Sequence, residues 1–164
     1  MSKTQENLMV AFAGESQANR KYLAYAKQAE TEGLPQVAKL FRAAAEAETI
    51  HAHAHLRSAG KIGSTMENLK DAISGETHEF THMYPDMIKD AEAEGQKAAK
   101  QYMVFVKAVE EVHANLYQKA LDAQGKMSNV DYYICKVCGF THEGPRSDAC
   151  PVCKAAPSAF YKVD

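Results

Sequence analysis

All four cysteines of the chain lie in its last thirty residues, as Cys135-Lys136-Val137-Cys138 and Cys150-Pro151-Val152-Cys153. One Cys-x-x-Cys pair can clasp a metal ion from two sides, and two pairs close a tetrahedron of sulfur. Beyond Met127-Ser128-Asn129 the helical period is lost, and the sequence becomes Tyr-rich with Gly and Pro punctuation. Residues 129–164 therefore read as a separate module. A segment this short cannot bury enough surface to fold unaided, so metal ligation must supply what a core would. Tyr133, Phe140, Phe160 and Tyr161 are expected to form the little core it has. Iron and zinc both accept four thiolates, and a structural zinc ribbon uses nearly the same spacing, but only iron carries an electron.

Residues 1–128 have a different character. Apolar residues recur at the helical period, and Gly and Pro divide the run into four long segments. The first is expected from about Thr4 to Glu32, ending at Gly33. Pro35 opens the second, which lasts to Gly60. Ser64 and Glu67 form a capping box for a short crossover helix. A third long helix follows, kinked at Pro85, and after Gly95 the fourth runs to Gly125. Two helical hairpins joined by a crossover of about fifteen residues give the connectivity of a ferritin-like four-helix bundle.

Acids on the apolar face of such a bundle are the informative anomaly, because an ionised carboxylate in a core is costly unless something compensates. Stepping each helix at 100° per residue places Glu15 among Leu8, Phe12 and Tyr22, and Glu48 and His51 in line with Val37, Leu40, Phe41 and Ala44. In the second hairpin Glu76 is central and Glu79 flanking, while His113 is central and Glu110 flanking. Height along the helices agrees. Counted from Gly33, Glu15 is level with Glu48 and His51, and counted from Gly95, Glu76 and Glu79 are level with Glu110 and His113. One Glu from each of two helices with a Glu-x-x-His from each of the others is a di-iron carboxylate pattern. A third match, Glu79-x-x-His82, turns its histidine toward solvent. His53 and His78 are also expected at the surface, and His55 at the core edge.

The runs Ala13-Gly14-Glu15-Ser16-Gln17-Ala18, Gly75-Glu76-Thr77-His78-Glu79-Phe80 and Met83-Tyr84-Pro85 resemble those of rubrerythrins. The order of bundle first and four-cysteine module second resembles them too. The resemblance implies a mainly α protein: a ferritin-like bundle over residues 1–128 and a rubredoxin-like module over residues 129–164. It implies two bridged irons in the bundle. Glu15, Glu110 and His113 would take the first iron, Glu76 and His51 the second, with Glu48 and Glu110 bridging. It further implies that Glu79 is an extra ligand exchanged with His51 on reduction, and that Tyr22 and Tyr84 hydrogen-bond near the cluster. In Cys135, Cys138, Cys150 and Cys153 it favours iron, with zinc possible as purified. The expected activity is reduction of hydrogen peroxide to water. Electrons would come from an NAD(P)H-dependent reductase or a rubredoxin and enter at the four-cysteine iron.

Other classes fit less well. The net charge of -2 gives no electrostatic reason to expect nucleic acid, and no stretch is apolar enough to enter a membrane. The polar start, Met1 to Asn7, has no apolar signal core, so a cytoplasmic location is expected. An iron-handling ferroxidase related to ferritin would need no dedicated electron entry. A zinc ribbon fused to a helical interaction domain would leave the level acids unexplained. From His113 to Gly125 the last helix rises roughly 18 Å, which suggests that the module lies far from its own bundle site. A head-to-tail homodimer, also implied by the resemblance, would bring a second chain's module to that site.

Overall fold

The computed structural model describes residues 2–163 and divides between Gly63 and Ser64 into two compact units. The first is a helical hairpin of α1 (Lys3–Thr31) and α2 (Pro35–Ser58). Ser2 and Gln5 cap α1 reciprocally. At the turn Gly33 takes a φ of +73°, and the Leu34 N–H donates to the Ala29 carbonyl at 2.8 Å, closing the helix end before Pro35 begins α2.

The seam of this hairpin is alanine. Ala26, Ala29 and Ala38 pack together with Phe41, and Ala45 and Ala52 are buried farther along α2. Small side chains let the helix backbones approach closely. Asn19 reinforces the contact, its Nδ2 donating to the Ala45 carbonyl at 2.7 Å and the Thr49 hydroxyl at 2.8 Å. Val37 and Leu40, expected on the core face, are instead exposed, Leu40 at 67%. The alanine seam takes the inner side of the hairpin and leaves them outside it.

The second unit begins with α3 (Thr65–His78), opened by the Ser64–Glu67 capping box. Gly75 does not interrupt it, since a lone glycine costs a helix only about 1 kcal/mol relative to alanine. The expected crossover helix is thus the first part of α3, and the connection between hairpins shrinks to residues 59–64. A π-helical turn, Glu79–Met83, leads into α4 (Tyr84–Ala93), with the Tyr84 N–H donating to the Glu79 carbonyl. This π turn falls where the kink at Pro85 was expected. Proline has no N–H to continue the ordinary ladder and its ring crowds the preceding turn, so the wider register absorbs it.

After Gly95 comes α5 (Lys97–Asp122), against which α3 and α4 both pack. The module follows as β1 (Tyr132–Cys135), β2 (Thr141–Glu143), a 3-10 turn and β3 (Phe160–Val163), an antiparallel sheet in the order β2-β1-β3. This module packs on α5 rather than standing apart from it. Val109 is buried in one cluster with Cys135, Cys138, Phe140, Cys150 and Ala159, and Phe105 and Val112 lie against its edge. Lys119 Nζ adds an ion pair to Glu143 at 2.5 Å.

The alanine seam leads to a stability prediction. Ala38 is fully buried, so Ala38→Leu forces added methylenes into a closed interface and should cost about 1–3 kcal/mol. Thermal melting by circular dichroism checks this; an unchanged melt would show that the seam has room to spare.

Candidate metal centres

Among the described residues, three groups of side chains bring metal-binding atoms within 4.8 Å of one another: the four cysteines, Glu15 with Glu48 and His51, and Glu76 with Glu110 and His113. In the module the Sγ atoms of Cys135 and Cys153 are 3.7 Å apart, and those of Cys138 and Cys150 are 3.6 Å apart. Disulfides need about 2.05 Å. Metal–sulfur bonds of about 2.3 Å give a tetrahedral edge of about 3.8 Å, so the sulfurs stand where a metal would hold them. Burial pushes the Cys138 and Cys153 thiols up. At Cys150 burial acts the same way but is outweighed by hydrogen bonds from the Cys153 and Val152 backbone N–H groups, and the thiol is lowered. A cation is the natural counterpart of four clustered sulfurs under those opposed pressures.

The two carboxylate groups share one design. In α2, His51 Nδ1 lies 2.9 Å from Glu48 Oε2; in α5, His113 Nδ1 lies 2.8 Å from Glu110 Oε2. Spacing of three residues puts both donors on one helix face. The facing helix adds one acid, Glu15 from α1 in the first case and Glu76 from α3 in the second. Ligands about 2.1 Å from a shared metal at right angles would be about 3.0 Å apart, so each motif fits. Among the described residues no charged side chain is fully buried. His51 is 54% exposed and His113 27%.

Electrostatics treat the two groups differently. The His51 hydrogen bond, and then one with Glu15, hold Glu48 below the usual carboxylate range. Glu76 is raised by burial and then by the Glu110 charge. Glu79, in the π turn outside the triad, is raised by burial and then by Glu76. Tyr84 is raised by burial and by the Glu110 and Glu79 charges, which keeps its hydroxyl protonated beside them. Tyr22 packs its ring against Tyr25 and Phe41. His78 and His82 are exposed and stacked on each other, His53 is exposed, and His55 is half-buried.

Two neighbours escape the sequence reading. Tyr117, one helical turn beyond His113, is raised by burial and by Glu76 and Glu110; its i+4 spacing from a ligand histidine is the signal that could have found it. Thr141 of β2 holds His113 Nε2 at 2.9 Å across 28 residues of sequence, a contact no helical spacing foretells. Both line a cavity of about 380 Å³ beside His113, together with Leu69, Leu116 and Tyr132. The distance argument for a remote module is thereby overturned: the chain turns back after α5 and sets β2 against His113.

Comparison with known proteins agrees with this geometry. The family model described as "Rubrerythrin" matches residues 6–121, and "Rubrerythrin, rubredoxin-like domain" matches residues 133–161. The chain belongs to the rubrerythrin family. Rubrerythrin-2 of Clostridium acetobutylicum is 34% identical, with 96% of this chain and 95% of the relative covered. Nigerythrin of Nitratidesulfovibrio vulgaris is 33% identical over 93% of this chain and 83% of its own. A solved structure of nigerythrin in a partially reduced state superposes with a TM-score of 0.60 at 32% identity, covering 99% of this chain and 88% of that one. The fold is accordingly mainly α and ferritin-like, with a rubredoxin-like four-cysteine module. Its cofactors are a di-iron site and a four-cysteine metal site, and its class is a di-iron oxidoreductase with a general role against oxidative stress.

Two outcomes follow. Because Glu76 and Glu79 are raised, the folded metal-free chain binds their protons more tightly than the unfolded chain does. Their contribution to stability is full below the ordinary 4.5 and is lost as pH rises through the raised values; Glu48 runs the other way. The melting temperature of metal-free Glu76→Gln should therefore fall less steeply above pH 4.5 than that of the parent, and an equal slope would clear Glu76. Converting Cys138 and Cys153 to Ser should abolish the visible absorption of thiolate-bound iron and leave bundle iron in place by metal analysis. Loss of bundle iron as well would show that the two centres load together.

Proposed function

We propose that this rubrerythrin-family chain reduces hydrogen peroxide to water, with electrons entering at the four-cysteine iron from an NAD(P)H-dependent reductase or a rubredoxin. The observation that carries the reading is the pairing of two like Glu/Glu-x-x-His groups with a four-thiolate site packed on the helix that bears one of them. A ferritin-like iron store has no use for that third site.

In this proposal Glu15, Glu110 and His113 would hold one iron and Glu76 and His51 the other, with Glu48 and Glu110 shared between them. An iron pair held there would supply two electrons and Lewis acidity toward the peroxide oxygens. The protein's part is placement and protonation. The Glu-x-x-His motifs of α2 and α5 fix an imidazole beside a carboxylate, so neither has to be drawn in when the metal binds. Tyr84, kept protonated, offers a hydrogen-bond donor near Glu110 and Glu79. Tyr22 takes the corresponding role in α1. Glu79 supplies the extra carboxylate and sits in a π turn, where the backbone departs from the ordinary ladder. Reduction to two waters consumes two protons and two electrons for each peroxide.

Residues 1–128 are proposed as the reacting domain and residues 129–164 as the electron entry. A cytoplasmic location fits four cysteines that must stay reduced. No helix among the described residues is long and apolar enough to cross a membrane. A homodimer arranged head to tail remains part of the proposal on the family likeness.

Metal analysis with anaerobic peroxide consumption by the pre-reduced chain tests this reading. Three irons per chain and one peroxide consumed per two bundle electrons are expected. Full iron with no reaction toward peroxide, but rapid oxidation of added ferrous iron by oxygen, would favour a ferroxidase. Glu79→Ala should keep its iron and slow peroxide turnover by roughly 10–100-fold, the usual range for residues that support a metal site. Unchanged turnover would remove Glu79 from the mechanism.

A further inference from the structure

We propose that each bundle metal centre forms between two copies of the chain, the α1–α2 hairpin of one closing on the α3–α5 helices of the other, so that both irons take ligands from both copies. This rests on the ligand assignment given above and not on the oxidant.

The length of one connection carries the argument. In a ferritin-like bundle the second and third helices run in the same direction, and a long crossover returns the chain along the bundle between them. Ligand height sets how far it must return. From His51 to the end of α2 at Ser58 the rise is about 10 Å, and from the start of α3 at Thr65 to Glu76 it is about 16 Å. Levelling the two ligands on parallel helices therefore needs a link of roughly 27 Å along the axis. This chain has much less. The Ala59, Gly60 and Lys61 N–H groups donate back to the His55, Arg57 and Leu56 carbonyls of α2, and Ser64 already caps α3. From Lys61 to Ser64 the chain spans only about 11 Å when fully extended. A link so short joins α2 to α3 as neighbours running in opposite directions, or hands α3 on to another bundle. The first is not the ferritin-like order. The second is domain swapping, a low-cost way for identical chains to exchange an element.

Each unit also presents an unfinished face. On α2, Val37 and Leu40 fall at helical spacing with Glu48 and His51, and the alanine seam toward α1 leaves that stripe open: Val37 is 41% exposed, Leu40 67% and His51 54%. On α5, Tyr102 and Tyr117 are exposed on the stripe of Glu110 and His113. Apolar side chains on the same stripe as metal ligands are a core face that lacks its facing layer.

The ligands divide the same way. Glu15, Glu48 and His51 belong to the first unit, and Glu76, Glu110 and His113 to the second. One iron would need Glu15 from the first with Glu110 and His113 from the second, and the other His51 from the first with Glu76 from the second. Neither unit completes either site. Face to face the two groups bring four carboxylates together, and two divalent cations balance them, so that metal occupancy and assembly are linked.

The test reads metal content and mass after anaerobic loading with ferrous iron, with no peroxide present. One chain carries Glu15→Ala, Glu48→Ala and His51→Ala, the other Glu76→Ala, Glu110→Ala and His113→Ala. Expressed alone, each should keep thiolate iron and lose bundle iron. Co-expressed under two affinity tags, the mixed dimer pairs one intact first unit with one intact second unit and should hold half the bundle iron of the parent dimer. Verified mixed dimers without bundle iron would overturn the proposal. A second measurement needs no variant. The iron-loaded parent, diluted until sedimentation shows that it dissociates, should lose bundle iron together with the dimer and keep thiolate iron. Monomers that retain bundle iron would overturn the proposal as well, since the full ligand set would then lie within one chain. Because only iron and mass are read, a chain inert toward peroxide would leave the result standing.

Discussion

Four sulfur atoms, set about one tetrahedral edge apart, hold together a tail that has almost no other interior. Metal ligation is therefore a folding term for residues 129–164 as well as a redox one. Its reach extends further, because the same cluster buries Val109 of α5. Fixing the cysteines fixes the knuckle that carries Gly139 and Thr141, and with it the environment of a bundle ligand. The ion that folds the module also sets how the module meets the helix.

The bundle side obeys a different constraint. Helix geometry brings like charges together: Glu76 near Glu110, Glu15 near Glu48. Without metal, burial and the Glu110 charge make Glu76 hold its proton more tightly, while the His51 hydrogen bond keeps Glu48 lowered. A cation takes over that compensation and leaves every carboxylate ionised. The ligand set is a poor core and a good metal site for the same reason.

Much of this was legible in the sequence because helical period and hairpin height are local rules. Glycines at 33 and 95 give the turns, and counting outward from them brings each Glu-x-x-His level with an acid on the facing helix. What escaped depends on particulars that such counting ignores. An alanine seam leaves Leu40 outside the hairpin where its period placed it inside. Gly75 is absorbed by a capped helix, and a π turn leads up to Pro85. The return of the module is a tertiary fact, since a rise per residue says how far α5 extends and nothing of the direction the chain takes afterwards.

That return gives α5 its place in the molecule. Val109 meets the cysteine cluster, Glu110 and His113 face the acid of α3, Tyr117 lines the cavity beside them, and Lys119 reaches the module again through Glu143. Residues 109, 113 and 117 follow one another at single-turn spacing, so packing, ligation and polar contact share a narrow stripe of one helix. A side chain on that stripe cannot change for the sake of one centre without moving the other. The packing of the four-cysteine module and the geometry of the carboxylate group are therefore tied to one helix, and the Thr141 hydroxyl meets His113 at 2.9 Å.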